Sequence, residues 1–219
     1  MTDGILLIDK PANMTSFGVV ARVRRVLSQQ QNKRVKVGHT GTLDPFATGL
    51  MIIVVGKECK NAGMYSKLDK VYEATIRLGR TSTTGDPEGD LTDVSDKVPT
   101  VQQIEDALGQ FRGEVTQRPP IFSAIKVDGQ RAYKLARKGV EVIVPTRQVM
   151  VHSLELVDYN YPEINIRTHV GSGTYIRTLA EDVGNALEVG AYCNKLRRIS
   201  INDMSIDSAI KLEDLGIQS

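Results

Sequence analysis

A glycine-rich segment that carries a single carboxylate is the clearest candidate for catalysis in this sequence. Residues 38–49 read GHTGTLDPFATG and lead into an unbroken apolar run, Leu50–Val55. Its three glycines permit turns that other residues resist, and Pro45 disfavours a helical conformation at Asp44. The pattern therefore places Asp44 on a constrained loop at the mouth of a strand, where catalytic groups are often found. Asp-Pro is also a common turn initiator without any chemistry, so spacing alone leaves both interpretations open.

A second candidate is the arginine that follows another glycine-containing segment. Residues 171–177 read GSGTYIR, and they lie between a predicted strand and a predicted helix. Arg177 falls in the first turn of that helix, where the helix dipole disfavours a cation. We therefore expect a carboxylate or a phosphate beside it. The alternative is an ordinary solvated arginine.

Several other kinds of site are not supported by the spacing of their usual residues. The three histidines, His39, His152 and His169, show no metal-binding spacing, and His39 by itself is more often structural than functional. Cys59 and Cys193 lie far apart and form no CxxC motif, which argues against structural zinc and fits a reducing compartment. The sequence lacks a GxSxG nucleophile motif. The remaining interpretation is a metal-free site built around a carboxylate and an arginine.

The hydrophobic pattern predicts an α+β fold, with helices on a mostly antiparallel sheet, because several predicted strands follow one another through short connections. The predicted strands are Gly4–Asp9, Leu50–Val55, Val71–Leu78, Ile121–Val127, Val140–Val144, Val149–Val157 and Ile164–Val170. The predicted helices are one capped by Thr15 and Ser16, one from Thr100 to about Gly113, a short basic one at Gly129–Lys138 and one at Gly173–Leu187. Residues 81–99 are expected to form a loop.

The charge distribution is more informative than the net charge. The 219 residues include 28 Lys+Arg and 26 Asp+Glu, a formal charge of +2. Residues 1–60 carry 9 basic and 4 acidic residues and residues 111–150 carry 8 and 3, so each block has a net charge of +5. Such blocks either converge on a surface for a polyanion or lie on separate solvated faces. No apolar run approaches the roughly 20 residues that cross a bilayer, and the N-terminus lacks the pattern of a signal peptide, which predicts a cytoplasmic protein.

Taken together, the ordered motifs resemble the TruB-type pseudouridine synthases, the family that modifies the T-loop of tRNA. The resemblance starts with GHTGTLDPFATGL around Asp44 and runs from near residue 4 to near residue 205. The other matching segments are Lys10-Pro11 with Thr15-Ser16, KVYEA at 70–74, TGDPEG at 84–89, PPIFSAIK at 119–126, YKLAR at 133–137, GTYIR at 173–177 and LRR at 196–198.

The resemblance implies a pseudouridine synthase fold and isomerisation of the T-loop uridine, position 55 in standard tRNA numbering, without a cofactor. It implies that Asp44 is the nucleophile, that Tyr72 stacks on the target base and is a candidate for proton transfer, and that Arg177 pairs with the catalytic carboxylate. Four more matching residues are implied to contact the RNA or its flipped base. They are His39, which enters the space left by the extruded nucleotide, Tyr175 and Leu196, which line the uracil pocket, and Lys60, which lies near the RNA.

The resemblance also implies one catalytic domain over residues 1–219, with a thumb-like insertion at about 115–147 that clamps the T-arm stem-loop of tRNA. We expect a monomer without a metal. We also expect no counterpart of the family's C-terminal RNA-binding (PUA-like) domain. Val170-Gly171-Ser172 replace a Cys-Ser-Lys that members often carry. The alternative is an RNA-binding or tRNA-folding protein on the same scaffold, with catalysis secondary or lost.

Overall fold

The computed structural model describes residues 3–123, 125–127, 130–132 and 143–216. The chain divides into two compact units, which are described separately. The first unit comprises Met1–Tyr72 and Arg197–Ser219, and the second comprises Glu73–Leu196.

The first unit begins with elements that the sequence pattern predicts well. In chain order they are β1 (Gly4–Lys10), α1 (Ser16–Gln30), β2 (Val37–His39), β3 (Thr48–Val55), a 3-10 helix (Gly56–Lys60), α2 (Ala62–Ser66) and the start of β4 (Lys70–Leu78). Thr15 caps α1, since its side chain accepts a hydrogen bond from the Gly18 amide at 3.0 Å. The helix buries its predicted apolar stripe, Val19, Val20, Val23 and Leu27.

Strand β3 is the centre of the first unit. It pairs antiparallel with β1 from Gly4↔Val55 to Lys10↔Gly49, and with β2 at His39↔Ile53. A later strand, β12 (Ala191–Ile201), runs parallel to β3 with Arg198 opposite Gly49. Every residue of β3 from Gly49 to Val55 is buried, which confirms the prediction of a strand covered on both faces.

The second unit contains the remaining elements. They are the rest of β4, β5 (Arg80–Ser82), β6 (Leu91–Asp93), α3 (Val101–Gly109), β7 (Gly113–Gln117), β8 (Lys126–Val127), β9 (Gln130–Arg131), β10 (Arg147–Asn160), β11 (Glu163–Val170), α4 (Ile176–Ala186) and most of β12. The chain then returns to the first unit, where β13 (Met204–Ser205) pairs with the end of β12 and is followed by 3-10 helices at Ile206–Ser208 and Glu213–Leu215.

Antiparallel pairing dominates the second unit. Strand β10 lies between β7 and β11, and β11 neighbours β4. The capping box at the start of α3 is present, because Thr100 and Gln103 exchange hydrogen bonds between side chain and backbone. Helix α4 buries the stripe that its sequence predicts. The predicted α+β fold with a mostly antiparallel sheet is confirmed.

Some predicted elements were wrong or displaced. Residues 81–99, predicted as a loop, contain strand β6, which pairs with β5 and is joined to it by the Arg80–Asp93 ion pair. The prediction missed β6 because a strand of three residues is too short to show a periodic pattern. The helix predicted up to Gly113 ends at Gly109, and Gly113 starts β7. Among the described residues of Ile121–Val127, only Lys126–Val127 form a strand. Ile143 and Val144 lie outside any strand.

Part of the predicted insertion lies outside the described residues. The basic helix at Gly129–Lys138 falls mostly on residues that the structure does not describe, and so does the start of the Val140–Val144 strand. Of the helix segment, Gln130–Arg131 is described as a strand. The assignment of about 115–147 to an RNA-clamping insertion therefore stays a prediction. No helix in the described part of the chain is long and apolar enough to cross a membrane.

Candidate active site

The loop that carries Asp44 connects β2 to β3 in the first unit. Asp44 is half-buried, and its carbonyl accepts a hydrogen bond from the Ala47 amide at 3.2 Å, which closes a turn over Pro45. The carboxylate-bearing residue is thus held in the turn that its Asp-Pro sequence predicts.

Ser16 fixes the residue immediately before Asp44. Its buried hydroxyl accepts a hydrogen bond from the Leu43 amide at 2.8 Å and donates one to the Leu43 carbonyl at 2.9 Å. Both backbone groups of Leu43 are therefore satisfied by one side chain at the start of α1, so the position of the loop depends on where that helix begins.

Lys10 fixes the residue immediately after Asp44. Its side chain is fully buried at the end of β1, and its ammonium donates hydrogen bonds to the carbonyls of Pro11 at 2.8 Å, Met14 at 2.6 Å and Pro45 at 3.1 Å. An ammonium has three protons to donate, and these three carbonyls accept them. The hydrogen bonds to the carbonyls therefore replace those that the buried ammonium would otherwise make to water. Asp44 therefore lies between two residues that are anchored independently.

Arg198 supports the same loop from the end of β12. Its guanidinium is buried and donates to the Leu50 carbonyl at 2.7 Å and to the Gly41 carbonyl at 3.1 Å. A further nitrogen lies 3.4 Å from the Tyr72 hydroxyl. One planar cation thereby joins both arms of the Asp44 loop to the tyrosine for which stacking on the target base is predicted.

The other predicted residues of the first unit differ in exposure. Tyr72 is buried in β4, with 8% of its surface exposed. His39 is half-buried as the last residue of β2, and Lys60 is exposed at the end of the 3-10 helix that follows β3. An exposed lysine in this position is available to a phosphate group.

Arg177 in the second unit has the anionic partner that its place in the first turn of α4 predicts. Its guanidinium donates to a carboxylate oxygen of Asp86 at 2.9 Å and to the carbonyls of Thr84 at 2.8 Å and Phe122 at 2.9 Å. The side chains of both partners in this ion pair are 4% exposed. The expectation of a carboxylate beside Arg177 is confirmed, while its pairing with Asp44 stays a prediction.

Asp86 is the functional candidate that sequence reasoning did not single out. Its other carboxylate oxygen accepts hydrogen bonds from the Thr84 hydroxyl at 2.6 Å and the Glu88 amide at 3.0 Å, so both oxygens are occupied. The TGDPEG segment shows the signal that could have found it, since a side-chain oxygen accepting from the amide two residues later is typical of an aspartate turn. That turn presents the carboxylate to Arg177.

The remaining predicted residues are Tyr175 and Leu196. Tyr175 is half-buried and immediately precedes α4, two residues before Arg177, and Leu196 is buried in β12 with 8% exposure. The second unit therefore brings Tyr175 and Arg177 to the same helix start, as the GTYIR motif requires.

Two further carboxyl groups on α4 have perturbed acidity. Burial raises the pKa of Glu181 from 4.5 to about 7, and the nearby Arg177 guanidinium opposes that rise. Burial also raises the pKa of Asp182 from 3.8 to about 6. Both groups bind protons more tightly in the folded chain than in the unfolded one.

These carboxyl groups predict that stability falls as pH rises between about 4 and 7, because the unfolded chain loses their protons first. Glu181→Gln should flatten this dependence, since the amide does not titrate. The measurement is the free energy of unfolding by urea at pH 5 and pH 8. The exposed Glu114→Gln is the matched control, and an unchanged slope for Glu181→Gln would contradict the assignment.

Chains of two solved complexes have a fold similar to that of this chain. It matches a chain of a Cbf5–Nop10–Gar1 complex with 29% identity and a TM-score of 0.72. It also matches a chain of an H/ACA RNP bound to a substrate RNA containing 2′-deoxyuridine, with 27% identity and a TM-score of 0.70. In each case 96% of this chain is covered, and it spans about half of the other chain, 53% and 51%.

Sequence comparison gives the family. The family described as TruB family pseudouridylate synthase (N terminal domain) matches residues 24–176. The chain is 42% identical over 215 residues to the tRNA pseudouridine synthase B of Azoarcus sp. (strain BH72), which covers 98% of this chain and 70% of the relative. For the same enzyme of Caulobacter vibrioides, identity is 46% over 213 residues, covering 97% and 67%. The chain therefore belongs to the TruB family of pseudouridylate synthases.

Proposed function

We propose that this protein is a tRNA pseudouridine(55) synthase, which isomerises the T-loop uridine of tRNA with Asp44 as the nucleophile and without a cofactor. Membership of the TruB family and relatives named tRNA pseudouridine synthase B support the reaction. The observation that carries the role of Asp44 is the independent anchoring of its two neighbours. Ser16 holds Leu43 and Lys10 holds Pro45, so the backbone that carries the carboxylate between them is held in place.

The proposed chemistry is balanced without an oxidant, a reductant or a metal. The bond from N1 of uracil to C1′ of ribose breaks, and a bond from C5 to C1′ forms after the base turns. The proton of C5 leaves, and N1 carries a proton in the product. A carboxylate can attack as a nucleophile and later leave, provided that it is ionised and that water is kept from the pocket.

The proposed roles of the other residues follow from their positions. Tyr72 stacks on the uracil, and the guanidinium of Arg198, beside the Tyr72 hydroxyl, favours that hydroxyl as a partner in proton transfer. Arg177, oriented by Asp86, is proposed to pair with the Asp44 carboxylate and keep it ionised. Contacts with the RNA are proposed for His39, Tyr175, Leu196 and Lys60.

The proposed substrate contact is the T-arm stem-loop, held in part by the segment at about 115–147 within a single catalytic domain. We also propose that the protein acts in the cytoplasm as a monomer and needs no metal.

The direct test uses the purified protein and a T-arm stem-loop transcript labelled with tritium at C5 of its uridines. Pseudouridine has the same mass as uridine, so the readout is release of tritium, with chemical derivatisation to locate the modified position. We expect one equivalent of tritium from position 55, and none from a stem-loop that carries cytidine there. A protein that binds the stem-loop and releases no tritium would instead support the RNA-binding alternative.

If the segment at about 115–147 clamps the RNA, its basic residues should contribute to the salt dependence of RNA binding. Arg131, Lys134 and Arg137 lie in the second +5 block, and their side chains are not among those that the structure describes. Replacing all three with alanine should weaken binding of the stem-loop and reduce the slope of log K against log salt by about 2, since each phosphate contact contributes roughly 0.7–0.9. Binding is measured between 50 and 300 mM salt, a range over which the Debye length falls by a factor of about 2.4.

The control for this prediction is a triple alanine variant at Lys97, Lys195 and Lys211, three exposed lysines outside both +5 blocks. It removes the same charge from elsewhere, so it should leave the salt slope close to that of the wild type. Equal slopes for the wild type and the Arg131, Lys134, Arg137 variant would defeat the clamp proposal.

A further inference from the structure

The backbone of Tyr175 is held on both sides by one buried glutamine. Gln117 is the last residue of β7 and is 1% exposed. Its side-chain oxygen accepts a hydrogen bond from the Tyr175 amide at 2.9 Å, and its side-chain nitrogen donates one to the Tyr175 carbonyl at 3.2 Å. The side-chain amide of Gln117 therefore pairs with both backbone groups of Tyr175, as the backbone of a neighbouring strand would. It fixes Tyr175 before α4 begins.

The ring of Tyr175 has a cation over its face. The guanidinium carbon of Arg147 lies 4.9 Å from the ring centroid, a distance typical of a cation–π contact. Arg147 is the first residue of β10 and lies opposite Gln117 in the β7–β10 ladder. Its Nε is buried, and no residue in the described part of the chain accepts a hydrogen bond from it. The aromatic face is thus the contact that the structure shows for this guanidinium.

Gly173 makes room for this contact. A Cβ there would lie 3.3 Å from the guanidinium carbon of Arg147, and the residue has a φ of +89° that disfavours other side chains. The guanidinium is therefore packed between the backbone of residue 173 and the ring of residue 175.

The segment that leaves β7 continues along the start of α4. The Arg118 carbonyl accepts a hydrogen bond from the Thr178 hydroxyl at 3.3 Å, and the Phe122 carbonyl accepts one from Arg177 at 2.9 Å. Together with Gln117, these contacts join the residues just after β7 to Tyr175, Arg177 and Thr178. The chain segment between positions 117 and 147 therefore starts and ends on the residues that hold Tyr175.

We propose that Gln117 and Arg147 are positioning residues that hold Tyr175 in the orientation that the reaction requires. The proposal rests on the proposed function, in which Tyr175 lines the uracil pocket. Gln117 holds the backbone of Tyr175 before α4 begins, and Arg147 packs against the face of its ring. Neither residue needs to touch the RNA.

The test is a double-mutant cycle of Arg147→Ala and Tyr175→Leu, measured as the single-turnover rate at saturating stem-loop. We expect Arg147→Ala to lower this rate about tenfold, with binding of the stem-loop changed less than about twofold. In the Tyr175→Leu background the same change should have no further effect, because the residue acts through the ring. Gln117→Leu should resemble Arg147→Ala.

The matched control is Gln148→Ala, one position further along the same ladder. Gln148 is exposed and accepts a hydrogen bond from Thr116, its partner in β7. It should react at the wild-type rate. Additive losses of rate in the double-mutant cycle would overturn the proposal. It would also be overturned if Arg147→Ala weakened RNA binding and left the rate unchanged, because Arg147 would then contact the RNA directly.

A second readout separates this proposal from the proposed function. The same cycle is measured on the free energy of unfolding, which requires neither RNA nor catalysis. If Arg147 and Tyr175 are coupled in unfolding but the wild type forms no pseudouridine, the contact exists. Both the proposed function and the role of the contact in catalysis would then be wrong. Pseudouridine formation without coupling in either cycle would leave the function intact and overturn the inference alone.

Discussion

Asp44→Asn is expected to abolish formation of pseudouridine while leaving affinity for the stem-loop within roughly tenfold, about 1.4 kcal/mol. The amide has the size of the carboxylate and is not a nucleophile. The loop should keep its conformation, because Ser16 and Lys10 bind the backbone of the neighbouring residues. The measurements are tritium release under single-turnover conditions and the dissociation constant of the same RNA.

Asp96→Asn is the control for that substitution. Asp96 is an exposed residue of the second unit, outside the Asp44 loop and the TGDPEG turn at 84–89, and its amide variant should turn over at the wild-type rate. If Asp44→Asn retained near wild-type turnover, another residue would have to be the nucleophile. A variant that loses both turnover and RNA binding would point to a structural role for the carboxylate.

Gly49→Ala is expected to have the largest effect on folding. Gly49 has a φ of +107° where β3 begins. A Cβ there would lie 2.7 Å from the Arg198 amide nitrogen and closer still to the Arg198 carbonyl oxygen. These are backbone atoms of the paired strand and cannot move aside as a side chain can. We expect a loss of more than about 4 kcal/mol in the free energy of unfolding, or no folded protein.

Gly109→Ala provides the control for a glycine in open surroundings. Gly109 ends α3, and a Cβ there meets nothing within 4 Å among the described residues. This substitution should leave stability unchanged or raise it by up to about 1 kcal/mol, as alanine favours helix. Urea unfolding of both variants is the measurement. A Gly49→Ala protein as stable as the wild type would contradict the close approach of β3 and β12.

Elements whose signals are local could be predicted from the sequence. Helix α1 has its cap at Thr15 and its apolar stripe within one segment, and β3 is an unbroken apolar run. The short strands β5 and β6 could not be predicted, since their pairing joins residues that have no periodic pattern of their own. The placement of the Asp44 turn followed from Pro45, whose effect on the preceding residue is also local.

The contacts that hold the candidate site could be predicted only in part. Helix polarity favours an anion near Arg177, and Asp86 supplies it from 91 residues away. The TGDPEG segment marks Asp86 as a turn residue, but nothing in the local sequence shows that Arg177 is its partner. In the sequence, Lys10 only follows the predicted strand Gly4–Asp9, yet in the structure its ammonium donates a hydrogen bond to the Pro45 carbonyl. Both partnerships depend on tertiary structure, which brings distant segments together.

The burial of Arg198 has a consequence for the order in which the protein forms. Its hydrogen bonds reach Gly41 and Leu50, which precede it by 157 and 148 residues. During synthesis the loop around Asp44 leaves the ribosome long before Arg198 is available to support it. Contacts this distant in sequence form slowly, because a long loop must close first. We therefore expect the Asp44 loop to reach its final conformation late, after most of the chain has been translated.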